Sequence, residues 1–106
     1  MAEDIMKKIK SQIDEHKILL YMKGTKEMPQ CGFSARVVQI LNSYGVPYES
    51  VDVLADPELR QALKEFSNWP TFPQLYVNGQ LIGGCDICVE MDRSGELEPI
   101  VKSAVE

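Results

Sequence analysis

The sequence predicts five helices, the first three from apolar residues that recur at helical spacing. The first covers roughly residues 3–15, the second follows position 31 and stops at Gly45, and the third begins at the pair Asp56-Pro57, typical of a helix start. Two more lie between about Asp86 and Gly95 and in the tail, where a proline fits only in a first turn. The apolar faces of the first three are Ile5, Met6, Ile9 and Ile13; Phe33, Val37, Ile40, Leu41 and Tyr44; and Leu59, Ala62, Leu63 and Phe66.

Four short runs between these helices have the composition of β-strands. Residues 17–22, KILLYM, are almost wholly apolar and predict a strand buried on both faces, and residues 47–53, PYESVDV, are rich in β-forming residues. The runs QLYV and QLIG flank Asn78-Gly79, the strongest short signal for a β-hairpin. The resulting order α-β-α-β-α-β-β-α-α predicts an α/β fold. Its first two strands should be parallel and its last two antiparallel, in a mixed sheet covered by helices.

Composition and charge narrow the class of protein. The chain has 106 residues, 44% hydrophobic and 25% charged, which is typical of one globular domain over residues 1–106. A net charge of -5 argues against nucleic acid or an anionic membrane as a partner. No apolar run approaches the ~20 residues that span a bilayer, and the N-terminus lacks the apolar core of a signal peptide. We therefore expect a cytoplasmic protein, although a mature organellar form would have the same features.

The chain contains three cysteines, an odd number that predicts thiols rather than a disulfide framework. Cys31 stands where the loop after the first strand meets the second helix, and the helix N-terminus and the nearby cation Lys23 would favour its thiolate. Ser34 occupies the position where a Cys-x-x-Cys redox site would have its second sulfur. The alternative is that Cys31 is a small buried apolar residue.

Three downstream features each allow a functional and a structural interpretation. WPTFP (69–73) predicts a rigid turn or an ordinary strand-entry loop with a core tryptophan. GGCDIC (83–88) is an anion-binding backbone cradle with Asp86 as N-cap, half of a zinc site completed by Cys31 and His16, or a capped helix with two incidental cysteines. Arg60 lies in the first turn of the third helix, where a positive charge interacts unfavourably with the helix dipole. Its charge either has a function or belongs to a solvated surface residue.

Taken together, these motifs closely resemble those of the monothiol glutaredoxins. The shared features are CGFS (31–34), a lysine eight residues earlier, and WPTFPQLYVNGQLIGGCD (69–86), in an order that covers nearly the whole chain. The N-terminal helix and the lack of a leading domain resemble the short, single-domain members. The resemblance implies a thioredoxin fold, a four-stranded mixed sheet flanked by helices with an extra N-terminal helix, and a cis peptide bond before Pro73.

The resemblance also implies a glutathione-binding groove beside Cys31. Lys23 and Arg60 would hold the glycine carboxylate of glutathione, and the backbone of Phe72 would hydrogen-bond its cysteinyl part. The backbone of Cys85 and Asp86 would bind the γ-glutamyl carboxylate, with the Asp86 side chain on the ammonium group. These pairings match each charge of glutathione with an opposite charge or a helix N-terminus.

Members of this family hold a [2Fe–2S] cluster between two subunits. A shared cluster would explain why the motif contains only one cysteine. Such a cluster needs four thiolate ligands, and two copies of Cys31 with two glutathiones would supply them. The implied function is that of a homodimer that delivers its cluster to apo iron–sulfur proteins, with a helper protein of another family as a possible heterodimer partner. The loop KGTKEMPQ, longer than in dithiol glutaredoxins, goes with this function in the family.

The alternative function is that of a glutathione-dependent thiol–disulfide oxidoreductase with Cys31 as nucleophile. The resemblance would also allow a disulfide between Cys31 and Cys85 in an oxidised apo form. It assigns nothing to Cys88, which we expect to face the core one turn into its helix.

Overall fold

The computed structural model describes residues 2–106, and their side chains from Asp4 onward, and its helices and strands follow the predicted order. The strands are β1, Ile18–Met22; β2, Glu49–Asp52; β3, Gln74–Val77; and β4, Gln80–Gly83. The helices are α1, Ala2–Glu15; α2, Gly32–Tyr44; α3, Pro57–Ser67; α4, Cys85–Ser94; and α5, Leu97–Ala104. A single 3₁₀ turn, Val53–Ala55, follows β2.

The four strands form one mixed sheet in the order β2-β1-β3-β4. β1 pairs with β2 in parallel and with β3 antiparallel, so the strand predicted to be buried on both faces lies inside the sheet. β3 and β4 form the predicted antiparallel hairpin, in which Asn78 and Gly79 have φ of 51° and 81°. These positive values are those that a tight hairpin turn requires, which is why the Asn-Gly pair is favoured there.

The sheet separates two apolar layers because successive side chains of β1 point to opposite faces. Leu20 and its alternate neighbours pack with α2, α4 and α5, whereas Leu19 and Tyr21 pack with α1 and α3. All five residues of β1 are buried. The N-terminal helix is thus part of one core layer, through Ile9 and Ile13.

Two aromatic residues that share the periodicity of their helices lie outside the core. Phe33 is 63% exposed in the first turn of α2, and Phe66 is 40% exposed in the last turn of α3. The apolar faces predicted for α2 and α3 therefore extend beyond the part of each helix that the core covers. Helical spacing identifies the face of a helix but not how far along its length another element covers that face.

Two predicted boundaries also differ from the structure. Residues 47–53 form a strand only at Glu49–Asp52, because the Asp52 side chain accepts a hydrogen bond from the Leu54 N–H (2.9 Å) and starts the 3₁₀ turn. Asp86 is not the N-cap of α4: that position belongs to Gly84, which leaves Asp86 within the first turn. A Cβ at position 84 would lie 3.2 Å from the Pro73 carbonyl oxygen, so the tight approach to this chain favours glycine.

Candidate functional site

The loop between β1 and α2 folds back on itself and brings Lys23 near Cys31. The Gln30 N–H donates to the Lys23 carbonyl oxygen (2.9 Å) and closes the loop at its base. The Gly24 N–H donates to Asp52 Oδ1 (2.9 Å), which ties the loop to the end of β2. Gly24 has φ of 88°, and a Cβ there would lie 2.6 Å from the Gln30 nitrogen, so the closed loop requires glycine.

Cys31 is the N-cap residue of α2, and its thiol is half-buried. The sulfur makes no capping hydrogen bond, yet the backbone N–H of Ser34 faces it and lowers the pKa of Cys31 below its ordinary value. The Phe33 N–H, the charge of Lys23 and the Ser34 hydroxyl act in the same direction, whereas burial opposes them. The structure is therefore that of a thiol whose ionised form is favoured, as expected at a helix N-terminus beside a cation.

Ser34, in the position of the absent second cysteine, joins the two elements that carry the site. It is fully buried, and its Oγ accepts a hydrogen bond from the Lys23 N–H (3.1 Å). The hydroxyl proton remains free to donate to the Cys31 sulfur, one of the influences that lower its pKa. The serine therefore anchors the end of β1 to α2 and supports the thiolate, and it cannot form a disulfide.

A groove of about 700 Å³ runs beside this thiol and brings together the residues predicted from the sequence to bind a ligand. These are Lys23, Arg60, Phe72, Cys85 and Asp86. Gly84, part of the predicted backbone cradle, also lines the groove. Sequence reasoning gave no ligand-binding role to the other residues of the lining: Phe33, Lys64, Trp69, Pro70, Thr71 and Ile87. Cys31 is not itself among the lining residues, but it is two residues from Phe33, which lines the groove, and the charge of Lys23 in the lining acts on its thiol.

On one side, the groove is bounded by the α3 wall, formed by Arg60 and Lys64. These cations are four residues apart and therefore lie on the same face of the helix. The Arg60 Nε is buried and has no hydrogen-bond partner among the described residues. A buried guanidinium nitrogen of this kind is suited to an anionic ligand. The i, i+4 spacing from Arg60 was the sequence signal that could have identified Lys64.

On the other side, the groove is bounded by the α4 wall, formed by Gly84, Cys85 and Asp86. This is the start of α4, where backbone N–H groups without helical partners favour an anion. The Cys85 thiol behaves unlike that of Cys31: burial, followed by the negative charge of Asp86, raises its pKa. The nearby cation Arg36 lowers it only in part.

The WPTFP segment connects the two walls. The peptide bond between Phe72 and Pro73 is cis, as the resemblance implied. Trp69 is half-buried and lines the groove with Thr71 and Phe72, so its interpretation as a core tryptophan was wrong. The segment therefore forms part of the lining of the groove.

All three cysteines are free thiols, and Cys88 is fully buried in the core, as predicted. No group of three or more histidine, cysteine, aspartate or glutamate side chains that could hold a metal ion occurs among the described residues. Among these residues, the Cys85-x-x-Cys88 pair thus lacks the two further ligands that a zinc site would need.

Known proteins with similar sequences are named glutaredoxins, and several are named monothiol glutaredoxins. Residues 18–82 match the glutaredoxin family. A Rickettsia typhi protein, probable monothiol glutaredoxin 2, is 57% identical over 102 residues, which are 96% of this chain and 92% of that one. Monothiol glutaredoxin-S7 of rice, a chloroplastic protein, is 52% identical over 105 residues, 99% of this chain and 62% of its own.

Solved structures agree with these sequence matches. The solution structure of reduced apo GrxS14 of poplar is 55% identical, with a TM-score of 0.80 over 92% of this chain and 90% of that one. A buckwheat glutaredoxin–glutathione complex superposes with a TM-score of 0.86, covering 97% of this chain and 92% of that one; at 22% identity this similarity shows the fold alone. The predicted thioredoxin fold is confirmed.

The chain belongs to the glutaredoxin family and, within it, to the monothiol glutaredoxins. Its relatives include bacterial proteins and a chloroplastic one, so they specify no single compartment. Among the described residues, no helix has the length and apolar character needed to cross a membrane.

Proposed function

We propose that this monothiol glutaredoxin binds glutathione in the groove, holds a [2Fe–2S] cluster as cargo between two copies of the chain, and delivers it to apo iron–sulfur proteins. The observation that supports this proposal is the juxtaposition of a thiol of lowered pKa, Cys31, with a groove that has cations on one wall and a helix N-terminus on the other. A helper protein in place of one subunit and a cytoplasmic location belong to the same proposal.

The charges of glutathione are complementary to those of the groove. Glutathione has two carboxylates and one ammonium group, and we assign its glycine carboxylate to Lys23 and the α3 wall. Its γ-glutamyl carboxylate is assigned to the backbone N–H groups of Cys85 and Asp86, and its ammonium group to the Asp86 side chain. The buried Nε of Arg60, without a partner among the described residues, supports the first assignment.

The three thiols of the chain differ in their fitness as cluster ligands. A thiolate is the form that binds iron, and only Cys31 has its pKa lowered. Burial raises the pKa of Cys85, and it raises that of Cys88 to about 12. Each chain thus contributes one favourable thiolate, so an all-thiolate cluster needs a second chain and the thiols of two glutathiones.

Anaerobic reconstitution with iron, sulfide and glutathione tests this proposal, read by visible absorption and size-exclusion chromatography. We expect a brown dimer that forms only with glutathione and is lost in Cys31→Ser. Cys85→Ser is the matched control, because the proposal uses its backbone and not its sulfur, and it should keep the colour. Colour in Cys31→Ser would overturn the proposal. A colourless monomer that reduces glutathionylated substrates would assign the chain to oxidoreductase chemistry with Cys31 as nucleophile instead.

A further inference from the structure

Gln74, the first residue of β3, is a polar side chain that is fully buried beneath the groove. Its Nε2 donates hydrogen bonds to the carbonyl oxygens of Trp69 (3.0 Å) and Thr71 (3.3 Å). Its Oε1 accepts a hydrogen bond from the Tyr76 hydroxyl (3.2 Å). A buried amide with partners on both ends is unusual enough to need an explanation, since an apolar residue would pack in the same space without needing partners.

The orientation of this amide follows from the chemistry of its neighbours. Carbonyl oxygens only accept hydrogen bonds, so the NH₂ group of Gln74 must face Trp69 and Thr71. The Tyr76 hydroxyl then donates to the amide oxygen. Both ends of the amide are thus determined, and the side chain holds two points of the WPTFP segment in a set position.

The hydrogen bond to Thr71 also determines where the backbone of Phe72 points. The peptide bond between Thr71 and Phe72 is trans, so its C=O and N–H point in opposite directions. Because the Thr71 carbonyl faces the buried Gln74 amide, the Phe72 N–H faces away from it, on the side of the groove that both residues line. This N–H has no hydrogen-bond partner among the described residues.

The hydrogen bond to Trp69 fixes the other end of the same segment. The Trp69 indole lies against Gly84, where a Cβ would come within 3.2 Å of its Nε1. Holding the Trp69 carbonyl therefore also sets the spacing between the WPTFP segment and the α4 wall. Gln74 acts on the groove from below without itself lining it.

We propose that Gln74 is a positioning residue for the ligand groove: it directs the Phe72 N–H toward a carbonyl oxygen of the peptide ligand and keeps Trp69 against the α4 wall. The inference rests on the proposed function, in which that ligand is glutathione. Gln74 does not touch the ligand. Its effect is on affinity, through the direction of one backbone donor.

Binding of S-methylglutathione, which cannot form a disulfide, tests the proposal without redox chemistry. Gln74→Met keeps the length of the side chain and removes both donated hydrogen bonds, and we expect its affinity to fall roughly tenfold. Leu97→Ala is the matched control: it removes a fully buried side chain in α5, in the core layer that α5 shares with α2 and α4. It should lower the free energy of unfolding while leaving the affinity of the folded protein unchanged.

The fluorescence of Trp69 gives a second measurement that a merely stabilising role would not affect. Trp69 is the single tryptophan of the chain, so its emission reports the position of this segment. We expect the emission of the folded protein to shift in Gln74→Met and to remain that of the wild type in Leu97→Ala.

Gln74→Glu provides a conservative variant with its own signature. A protonated glutamate can still donate one hydrogen bond to a carbonyl oxygen, whereas an ionised one cannot. Its affinity should therefore be nearest the wild-type value at about pH 5.5 and fall as the pH rises toward about 8, beyond any change shared with the wild type and Gln74→Met. The titratable groups at position 74 are Tyr76, which donates to it, and Tyr21, its cross-strand partner on β1. Burial raises the pKa of both tyrosines, so neither ionises in this range.

The outcomes separate this inference from the function on which it rests. Wild-type affinity in Gln74→Met, or an equal loss in Leu97→Ala, would overturn the positioning role and leave glutathione binding intact. If Gln74→Met does not fold, the pH dependence of Gln74→Glu decides in the same way, and a flat profile would overturn the role. Absence of binding by the wild-type chain would overturn the proposed function, and this inference with it.

Discussion

Helices α2 and α4 both begin at the groove, and each has a cysteine at or next to its N-cap position. The pKa values of these two thiols are nevertheless shifted in opposite directions. At the start of α2, the N–H of Ser34 and the charge of Lys23 lower the pKa of Cys31. At the start of α4, burial and the charge of Asp86 raise the pKa of Cys85. A helix N-terminus alone therefore does not make a cysteine reactive.

The position of the sulfur within the cap accounts for the difference. Cys31 is the N-cap residue and stands in front of the free N–H groups of its helix. Cys85 is already inside the helix, because Gly84 occupies the cap, and its neighbour Asp86 is an anion. A shift of one position thus separates a helix start that favours a thiolate from one whose free N–H groups we propose to bind the carboxylate of a ligand.

The largest expected consequence of this difference is selectivity in alkylation. With iodoacetamide near neutral pH, Cys31 should react about tenfold faster than Cys85 or more, since the thiolate is the nucleophile. Peptide mass spectrometry at successive times measures both rates in one sample. Equal rates would contradict the contrast between the two helix starts, and the buried Cys88 should stay unmodified until the protein unfolds.

Ligand binding should sharpen the comparison, because the α4 wall is proposed to bind through its backbone and the α3 wall through side chains. Arg60→Ala should weaken glutathione binding by ~1–3 kcal/mol, because it removes a charge-assisted hydrogen bond and leaves the ligand carboxylate without that partner. Cys85→Ser should leave it unchanged, and so should Lys102→Ala, whose ion pair with Glu98 lies in α5. Calorimetric titration measures all three, and an unchanged affinity in Arg60→Ala would remove that residue from the site.

Cys88, one turn further along α4, shows how complete burial affects the pKa of a thiol. Burial raises its pKa from 9.0 to about 12, so the folded chain keeps a neutral thiol while the unfolded chain ionises it. This contribution to stability is complete below pH 9.0 and is lost as the pH rises toward about 12. Between these two pH values, the free energy of unfolding should fall less steeply with pH in Cys88→Ala than in the wild type. The difference in slope should be up to about 1.4 kcal/mol per pH unit.

Urea unfolding at several pH values measures that slope in both proteins. The cavity left by the alanine lowers stability by an amount independent of pH, so only the slope is informative. Tyr21, whose pKa is also raised, contributes equally to the wild type and the variant. The charge of Cys88 is the smallest of the causes that raise the pKa of Tyr44, so only a minor part of the Tyr44 contribution disappears with Cys88. Parallel curves would mean that Cys88 ionises as easily in the folded chain as in the unfolded one.

The smallest expected effects come from the single cations near each thiol. Lys23→Gln should raise the pKa of Cys31, and Arg36→Gln should raise that of Cys85, because each cation favours a thiolate. The change at Cys31 should be modest, since the Ser34 N–H is the leading cause there. The pH dependence of each alkylation rate gives both values. A collapse of Cys31 reactivity in Lys23→Gln would make the cation, rather than the helix start, the dominant cause.

The order of elements, the hairpin and the parallel pairing were all predictable from local patterns. The apolar run of β1, the Asn78-Gly79 turn and the Asp56-Pro57 start each depend on residues close in the sequence. The exposed Phe33 and Phe66 were not predictable, because exposure depends on where the neighbouring elements end. The same limit explains the N-cap at Gly84, which lies against Trp69 and Pro73.

Most residues of the candidate site were predictable from the sequence, whereas their distances, burial and pKa shifts were not. Lys23, Arg60, Phe72, Cys85 and Asp86 could be named because their motifs resemble those of a known family. The contribution of Lys64, and the opposite pKa shifts of the two cysteines, depend on distances between elements that are remote in the chain.

The sequence by itself determined the elements of this protein, its family and the single thiol of its CGFS motif, because these depend on residue types at short spacing. Only the tertiary structure decided that the pKa of Cys85 is raised while that of Cys31 is lowered, that Lys64 joins Arg60 at the groove, and that the Gln74 amide is buried against two carbonyl oxygens of the WPTFP segment. Burial, the direction of an N–H and the field of a charge depend on through-space distances, which the order of residues does not specify until the chain has folded.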